Sequence, residues 1–476
     1  MLVPVIGLEI HCELSTNSKV FCTCANEFGG DPNTRVCPVC MGLPGTLPVI
    51  NQRAVEYTIR AGYALGCDIS LHSEFDRKNY FYPDLPKAYQ ISELYEPLCL
   101  GGNVTVDTDS GEKKAIRINR IHLEEDAGKL MHDDLMGLSL ADYNRCGVPL
   151  MEIVTEPDIS SATEAANLVK EIARRLRYAG VSDCRMEQGS LRVDVNLSLK
   201  EADATEFGTR TETKNLNSVK SVMRAIEFEI KRQTRLLEEG KRVVQETRSF
   251  QENSGQTKSL RSKEDAHDYR YFKDPDIQPV LVTEEELMEI RGSLPVMPNV
   301  RYEKYIGDYE LLEIDAMNLI ENPFISDFYE EVLGEGIAPK VAANMILVEL
   351  FRLLKDESEE IASLPFTSKD FANLLKTRDE GKITQNDAKK VLQKMYESGQ
   401  KPEEIIKAEG MEVVNDTGEV DRVVSEVLAT NEKAVEQYRG GEGKVFGFLM
   451  GQCNKELKGK ASPALVKERL EAALNA

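Results

Sequence analysis

The chain has 476 residues, of which 41% are hydrophobic, and it carries a formal net charge of −22. The hydrophobic content excludes a disordered chain, and the length predicts roughly two to four domains. The negative charge argues against binding nucleic acid over the whole surface but allows local basic patches. We find neither a secretory signal nor an apolar run of the ~18–20 residues that span a bilayer, so we expect a soluble, cytoplasmic protein.

The first predicted element is a strand, GLEIHCEL, at residues 7–14. Its apolar residues alternate with Glu9, His11 and Glu13, so these polar side chains share one face of an extended chain. The pattern fits a strand whose polar face binds a ligand. It fits an ordinary solvated face as well.

A cysteine cluster follows this strand. It has the form Cys-x-Cys, twelve residues, then Cys-x-x-Cys, and its members are Cys22, Cys24, Cys37 and Cys40. Two close pairs joined by a loop place four thiolates around one tetrahedral Zn²⁺, and four protein ligands leave no position open for catalysis. A structural zinc ion would stabilise this glycine- and proline-rich loop. Four unrelated buried cysteines are the alternative.

The segment FDRKNYFYPDLPKAYQIS, residues 75–92, combines cations with aromatic rings. Since the chain has neither a P-loop nor a Rossmann glycine motif, metal ions and basic side chains would have to hold any nucleotide. Candidates for phosphate contacts are Arg77 and Lys78 here and Arg192 further along. Four rings are candidates for stacking on a base: Tyr80, Phe81, Tyr82 and Tyr89. Packing in the core explains any one of these rings equally well.

Carboxylates recur in the next two motifs. HLEEDAGK, residues 122–129, contains Glu124 and Glu125, and VPLMEIVTEPDI places Glu152 within an apolar run. An ionised glutamate there is costly unless a cation or hydrogen bonds compensate its charge. Mg²⁺ or Mn²⁺, which prefer oxygen ligands, would do so, and His11 would suit Mn²⁺ or lie outside the ligand shell. For HLEED, a charged turn is the alternative.

Two amphipathic helices and a second alternating strand complete this region. The helices are predicted at residues 161–180 and 218–240. In the strand LRVDVNLSL, apolar residues alternate with polar ones, which include Arg192, Asp194 and Asn196. One buried and one wet face on each strand indicate an antiparallel sheet, so we expect an α+β fold.

The character of the sequence changes near residue 290. A capping box and a glycine stop at residues 283–292 precede SLPVMPNV, whose two prolines indicate a boundary. Apolar residues then recur at three-to-four spacing, which predicts helices throughout, with a second break at residues 407–418. From Arg439 to Leu470 the chain is locally basic, with seven basic and three acidic residues.

Eight motifs, taken in order, make the chain resemble a known family: GLEIHCEL, FDRKNYFYPDLPKAYQIS, HLEEDAGK, PLMEIVTEPDI, MEQGSLRVDVNLS, TKNLNSV, DYRYF and GFLMGQ. They are similar to motifs of the B subunit of the glutamyl-tRNA(Gln)/aspartyl-tRNA(Asn) amidotransferase, over nearly the whole chain. The archaeal E subunit is a wider relative. The resemblance implies a catalytic cradle domain at residues 1–293 with a glutamine synthetase-like fold. A helical domain at 294–408 and a small helical tail domain at 409–476 would follow.

The resemblance also implies a reaction. ATP would phosphorylate the side-chain carboxylate of Glu-tRNA(Gln), Asp-tRNA(Asn) or both, and ammonia would displace phosphate to give the amide. The chain lacks a glutaminase signature, and the resemblance implies that ammonia comes from an amidase-type A subunit. A small C subunit would complete a heterotrimer, and neither DNA nor a membrane is an expected partner.

Site residues are carried over by motif. Four would bind Mg²⁺, with Glu124 as the competitor for Glu125: Glu9, His11, Glu125 and Glu152. Beside them, Arg192 and Asp194 would act in catalysis. Substrate or ATP binding would use four further residues: Arg77, Lys78, Tyr82 and Asn196. The four cysteines match a zinc site that occurs in some members only.

The basic tail is expected to contact tRNA phosphates. Its candidates are Lys444, Lys455, Lys458 and Lys460, for which ordinary solvated surface is the alternative. Two other functions remain open. One is a non-catalytic scaffold that binds tRNA and a partner enzyme, and the other is a ligase that acts on a free amino acid.

Overall fold

The computed structural model describes residues 1–133, 137–262, 269–355, 360–411, 417–440, 443–457, 461 and 463–475. The chain forms two compact units, Met1–Pro298 and Asn299–Ala476. In the described residues the fold contains fifteen α-helices and sixteen strands, which confirms the α+β class. None of the helices in these ranges has the length and apolar content needed to cross a membrane.

All strands in the described residues lie in the first unit. In chain order they are β1 Leu2–Glu13, β2 Asp68–Ile69, β3 His72–Asn79, β4 Tyr89–Glu96, β5 Cys99–Leu100, β6 Asn103–Asp107, β7 Lys113–Glu125, β8 Lys129–Asp133, β9 Leu138–Asp142, β10 Pro149–Thr155, β11 Leu191–Glu201, β12 Thr211–Leu216, β13 Glu246–Gln251, β14 Gln256–Ser262, β15 Phe272–Lys273 and β16 Val280–Leu281.

Four helices accompany these strands: α1 Gln52–Ala64, α2 Ala162–Tyr178, α3 Val219–Glu238 and α4 Glu284–Gly292. The predicted helices at 161–180 and 218–240 are α2 and α3. Each begins after a serine whose side chain accepts a hydrogen bond from the first turn, which satisfies a free N–H group. The capping box predicted for α4 is also present.

Ten strands form one large sheet, in the order β14-β13-β12-β11-β1-β10-β7-β5-β2, with β6 also paired to β7. Neighbouring strands run antiparallel, as predicted, except for the parallel pair β12 and β13. The helix α3 lies between these two strands in the chain, and parallel strands need such a crossover connection. The centre of the sheet is β1, between β10 and β11.

One face of the large sheet forms the hydrophobic core. Alternate residues of β1 are at most 1% exposed: Leu8, Ile10 and Cys12. They belong to the same apolar cluster as Ile172 of α2 and Val222 of α3, so burial against helices fixes the register of the strand. The polar residues between them therefore point to the opposite face of the sheet, where they are only partly buried.

The second unit is helical in its described residues. Its helices are α5 Pro298–Gly307, α6 Glu313–Leu319, α7 Pro323–Gly334, α8 Pro339–Asn344, α9 Ser368–Asp379, α10 Gln385–Ser398, α11 Pro402–Glu409, α12 Thr417–Thr430, α13 Glu432–Arg439, α14 Lys444–Glu456 and α15 Pro463–Asn475, and a π-helical stretch, Met345–Leu350, continues α8. Its buried apolar residues form two clusters, one from Tyr305 to Ile406 and one from Val420 to Leu474. The first unit ends a few residues after the predicted boundary at 293, and the division near 408 stays a prediction.

Candidate active site

The polar face of the large sheet brings together side chains from distant parts of the chain. His11 on β1 lies opposite Glu152 on β10 and opposite Arg192 on β11. Glu152 in turn lies opposite His122 on β7. Directly opposed residues of antiparallel strands project from the same face, so these four side chains form one row across four strands.

His11, Glu124 and Glu152 form what we call the first acidic cluster. One nitrogen or oxygen atom from each lies within 4.8 Å of the others. His11 Nε2 is 3.5 Å from Glu152 Oε2 and 3.9 Å from Glu124 Oε1. An imidazole nitrogen with two carboxylates is a donor set that suits Mn²⁺ or Mg²⁺, so the residues present fit such an ion.

Two imidazoles compensate these carboxylates in the structure. His122 Nε2 lies 3.5 Å from Glu152 Oε2 and 3.6 Å from Glu124 Oε2. Burial favours neutral His122, but Glu152 and Glu124 outweigh it and raise the pKa of this histidine to about 9. Burial also opposes ionisation of Glu152, yet His122 and His11 hold its pKa well below the ordinary value. The two imidazoles therefore compensate the charge of the buried carboxylates.

Glu124, and not Glu125, contributes its carboxylate to this cluster. Both are buried on β7, but neighbouring residues of a strand face opposite ways. Glu125 forms an ion pair with Lys87 and accepts a hydrogen bond of 3.0 Å from the backbone N–H of Ile91. Glu125 is thus placed apart from His11 and Glu152. Glu124 occupies the place beside them that the motif comparison assigned to Glu125.

Glu9, Asp194 and Glu212 form a second acidic cluster, again with one oxygen from each within 4.8 Å of the others. Asn196 Nδ2 donates a 2.8 Å hydrogen bond to Glu9 Oε1. Burial, with the charges of Glu152 and Glu212, raises the pKa of Glu9. Three oxygen donors fit Mg²⁺, so the polar face offers two sets of residues that suit a divalent cation.

Glu212 of the second cluster, and the neighbouring Lys214, were missed by the sequence reasoning. Glu212 lies on β12, as does Lys214, whose Nζ is 2.5 Å from Asp194 Oδ2 and 3.0 Å from Glu212 Oε1. The signal was available, because the charged residues of Thr-Glu-Thr-Lys at residues 211–214 fall at every second position, as they do in the β1 and β11 motifs. His122 was also missed. It lies within the motif HLEEDAGK, but the spacing of that motif did not distinguish a ligand site from a charged turn.

A cavity of about 360 Å³ is lined by His11 and Glu124 of the first cluster and by Asp194 of the second. Its lining includes three cations, Lys78, Arg192 and Lys214, beside the carboxylates of Glu124 and Asp194. Arg192 Nη2 lies 2.5 Å from the buried Asp126 carboxylate, which holds its guanidinium at the cavity wall. Such a mixture of acids and cations in one concave site is typical of sites that bind a polyphosphate together with a metal ion.

Arg77 and Tyr82 are placed away from this cavity. Arg77 Nε lies 2.8 Å from Asp274 and its Nη2 lies 2.6 Å from Asp276, while its guanidinium stacks 4.2 Å from the centre of the Tyr89 ring. It lines a separate cavity of about 210 Å³ beside the cysteine loop. Tyr82 is exposed, so its predicted contact with a base stays a prediction.

The four clustered cysteines converge as the spacing predicts. Their sulfur atoms lie within 4.8 Å of one another, and all four are free thiols. Lys19, which is fully buried, points its ammonium at the cluster, with Nζ 3.8 Å from Cys40 Sγ and 2.8 Å from the carbonyl of Arg35. A buried ammonium beside sulfur favours thiolates, and four thiolates fit a tetrahedral Zn²⁺.

Replacing Cys37 by serine is expected to reduce the zinc content of the purified chain from one equivalent to below about a tenth, because a structural zinc site needs all four ligands. The loop at residues 22–40 should then be cut by protease and the melting temperature should fall. Mass spectrometry of bound metal and limited proteolysis measure both effects. Cys146→Ser, at a buried cysteine outside the cluster, should retain its zinc. A metal-free wild-type chain would contradict the assignment.

The basic residues of the tail lie partly outside the described residues. Lys444 begins α14, Lys455 lies near its end, and both are exposed. Lys458 and Lys460 lie outside the described residues. The prediction that these lysines bind tRNA therefore stays a prediction.

Two family models match the chain. One, described as the GatB/GatE catalytic domain, matches residues 4–288, and the other, described as the GatB domain, matches residues 327–474. The first match contains all three metal-ligand clusters described above.

Curated relatives match over almost the full length. A protein of Ruminiclostridium cellulolyticum is 55% identical over 473 residues, which cover 99% of this chain and 97% of the relative. A protein of Caldanaerobacter subterraneus subsp. tengcongensis is 50% identical and covers 99% of both chains. Both are named as the B subunit of an aspartyl/glutamyl-tRNA(Asn/Gln) amidotransferase. This chain therefore belongs to the family of the B subunit of the tRNA-dependent amidotransferase.

Proposed function

We propose that the first unit uses ATP to phosphorylate the side-chain carboxylate of Glu-tRNA(Gln), Asp-tRNA(Asn) or both, and that ammonia then displaces phosphate. The products are Gln-tRNA(Gln) and Asn-tRNA(Asn). The observation that supports this most is the cavity on the polar face, which members of both acidic clusters line together with three cations. A scaffold that only held tRNA would not need carboxylates to be buried together at this cost.

The residues have distinct tasks in this proposal. His11, Glu124 and Glu152 hold one divalent cation, and Glu9, Asp194 and Glu212 hold a second. When bound, these ions neutralise charge on ATP, which supplies the phosphoryl group.

The three cations of the cavity act on the two anionic substrates. Lys78, Arg192 and Lys214 orient the polyphosphate and the carboxylate, which repel each other in water. Asn196 fixes the carboxylate of Glu9 through its hydrogen bond, so that the second cluster is preorganised.

Partner subunits supply the ammonia, since this chain carries no glutaminase signature. The relatives are named as one subunit of an amidotransferase, which supports a complex with other subunits. In the proposal, an amidase-type A subunit releases ammonia from glutamine and a small C subunit completes the heterotrimer. Exposed lysines on α14, Lys444 and Lys455, would contact tRNA phosphates, and the zinc loop would lie near the aminoacyl end of the tRNA.

The proposal includes the fold and domain assignments that go with this chemistry. Residues 1–293 would be the cradle with a glutamine synthetase-like fold, residues 294–408 the helical domain and residues 409–476 the tail that binds tRNA. A mainly antiparallel sheet with an acidic polar face is what supports the likeness to a metal-dependent ligase.

The test is to purify the chain with its A and C subunits and to supply free ammonium as the nitrogen donor, which separates amidation from glutaminase activity. Three acceptors are compared: Glu-tRNA(Gln), Asp-tRNA(Asn) and free glutamate. We expect amide formation on at least one tRNA, with one ATP hydrolysed for each amide, and none on free glutamate. Amidation without ATP would contradict the phosphorylation step. Equal activity on free glutamate would favour the amino-acid ligase.

A further inference from the structure

The side chain of Lys214 pairs with two of the three carboxylates of the second acidic cluster. The Nζ atom of Lys214 bridges Asp194 Oδ2 at 2.5 Å and Glu212 Oε1 at 3.0 Å. The other oxygen of Glu212 accepts a 2.8 Å hydrogen bond from Thr247 Oγ1. The ammonium thus lies where a cation shared by these carboxylates would be.

Lys214 and a divalent cation compete for the same oxygen atoms. Mg²⁺ binds carboxylate oxygens at about 2.0–2.1 Å. A divalent cation on the oxygens of Asp194 and Glu212 would therefore be only a few ångströms from the ammonium, and in a partly buried site like charges at that distance repel strongly. Binding of the cation to Glu9, Asp194 and Glu212 requires Lys214 to leave.

The ammonium of Lys214 can move away from the two carboxylates and still remain in the cavity. Its side chain is 36% exposed and has a flexible four-carbon stem. It lines the cavity of about 360 Å³ on the polar face, together with Lys78 and Arg192. An ammonium released from the carboxylates would remain in a cavity where an entering polyphosphate needs positive charge.

We propose that Lys214 is a resident counter-cation that excludes divalent ions from the second acidic cluster until a nucleotide binds. Without nucleotide, the ammonium of Lys214 neutralises part of the charge of the cluster. With nucleotide, Lys214 turns to the phosphate oxygens and the carboxylates accept the divalent cation. This inference rests on the proposed function, because it treats the second cluster as a cation site. Its consequence is that nucleotide and the second ion bind together or not at all.

The test counts Mn²⁺ ions bound to the three-subunit complex, by electron paramagnetic resonance of the free ion, with and without a non-hydrolysable ATP analogue. Without the analogue, Lys214→Met should bind one more Mn²⁺ than the wild type, at least tenfold more tightly than any second site of the wild type. Lys214→Arg, which keeps the charge, should bind as the wild type does. Adding Asp194→Asn to Lys214→Met should remove the extra ion.

The outcomes separate this inference from the proposed function. If Lys214→Met and Lys214→Gln bind no additional Mn²⁺ while melting like the wild type, or if the wild type already binds two ions without nucleotide, Lys214 is not a competing cation. Those results leave ATP-dependent amidation by the wild type intact. If neither protein binds Mn²⁺ with or without the analogue, both the inference and the proposed cation sites fail.

Discussion

Replacing Glu152 by glutamine is expected to lower ATP-dependent amidation of tRNA by at least about 100-fold, because the substitution removes a negative ligand at the centre of the first acidic cluster. The carboxylate of Glu152 lies 3.5 Å from both His11 and His122, so its loss leaves Glu124 as the one remaining carboxylate of the cluster beside the two imidazoles. Glutamine has almost the same volume, and the fold should persist. Amide formation with free ammonium and tRNA binding by filter retention are the measurements.

Glu156→Gln is the matched control for this substitution. Glu156 follows β10 and accepts one hydrogen bond, from Asn119, at 2.7 Å, but it belongs to neither acidic cluster. Its replacement should change amidation by less than about twofold. If Glu152→Gln retained full activity, the polar face would not be catalytic, and a tRNA-binding scaffold would become the better account.

The two adjacent glutamates of β7 are expected to have different roles. Glu124→Gln should weaken Mn²⁺ binding and amidation by at least about tenfold, since the Glu124 carboxylate belongs to the first acidic cluster. Glu125→Gln should leave Mn²⁺ affinity within about twofold of the wild type. It should lower the melting temperature instead, because Lys87 loses its carboxylate partner in a buried environment.

Isothermal titration with Mn²⁺ and thermal unfolding of the same preparations distinguish the two roles. Each variant is the control for the other, since the residues are neighbours on one strand and both are buried. The reverse result, with metal binding lost in Glu125→Gln and kept in Glu124→Gln, would restore the assignment made from the motif.

Strand alternation explains why much of the site could be predicted from the sequence. Glu9 and His11 on β1, and Asp194 and Asn196 on β11, lie at every second position, so a buried apolar face determines where they point. Cysteine spacing is similarly informative, because two close pairs restrict the geometry of a loop. Both patterns depend on residues that are close together in the chain, so they can be recognised without knowledge of the tertiary structure.

Other features depend on contacts between distant segments and could not be predicted from the sequence. Which of Glu124 and Glu125 faces His11 depends on the register of β7 against β10, and one residue of register exchanges them. Arg77 is a reasonable phosphate ligand by residue type, yet Asp274 and Asp276, almost 200 residues away, hold its guanidinium. The parallel pair β12 and β13 likewise arises from the crossover through α3.

In the proposed mechanism, side chains from β1, β7 and β10 bind a divalent cation that assists ATP. Anomalous diffraction from crystals of the complex, grown with Mn²⁺ and a non-hydrolysable ATP analogue, tests it most directly. We predict a Mn²⁺ peak at about 2.0–2.3 Å from a nitrogen of His11 and from carboxylate oxygens of Glu124 and Glu152, in contact with the phosphates. A nucleotide bound elsewhere, with no anomalous peak among these three residues, would contradict the account.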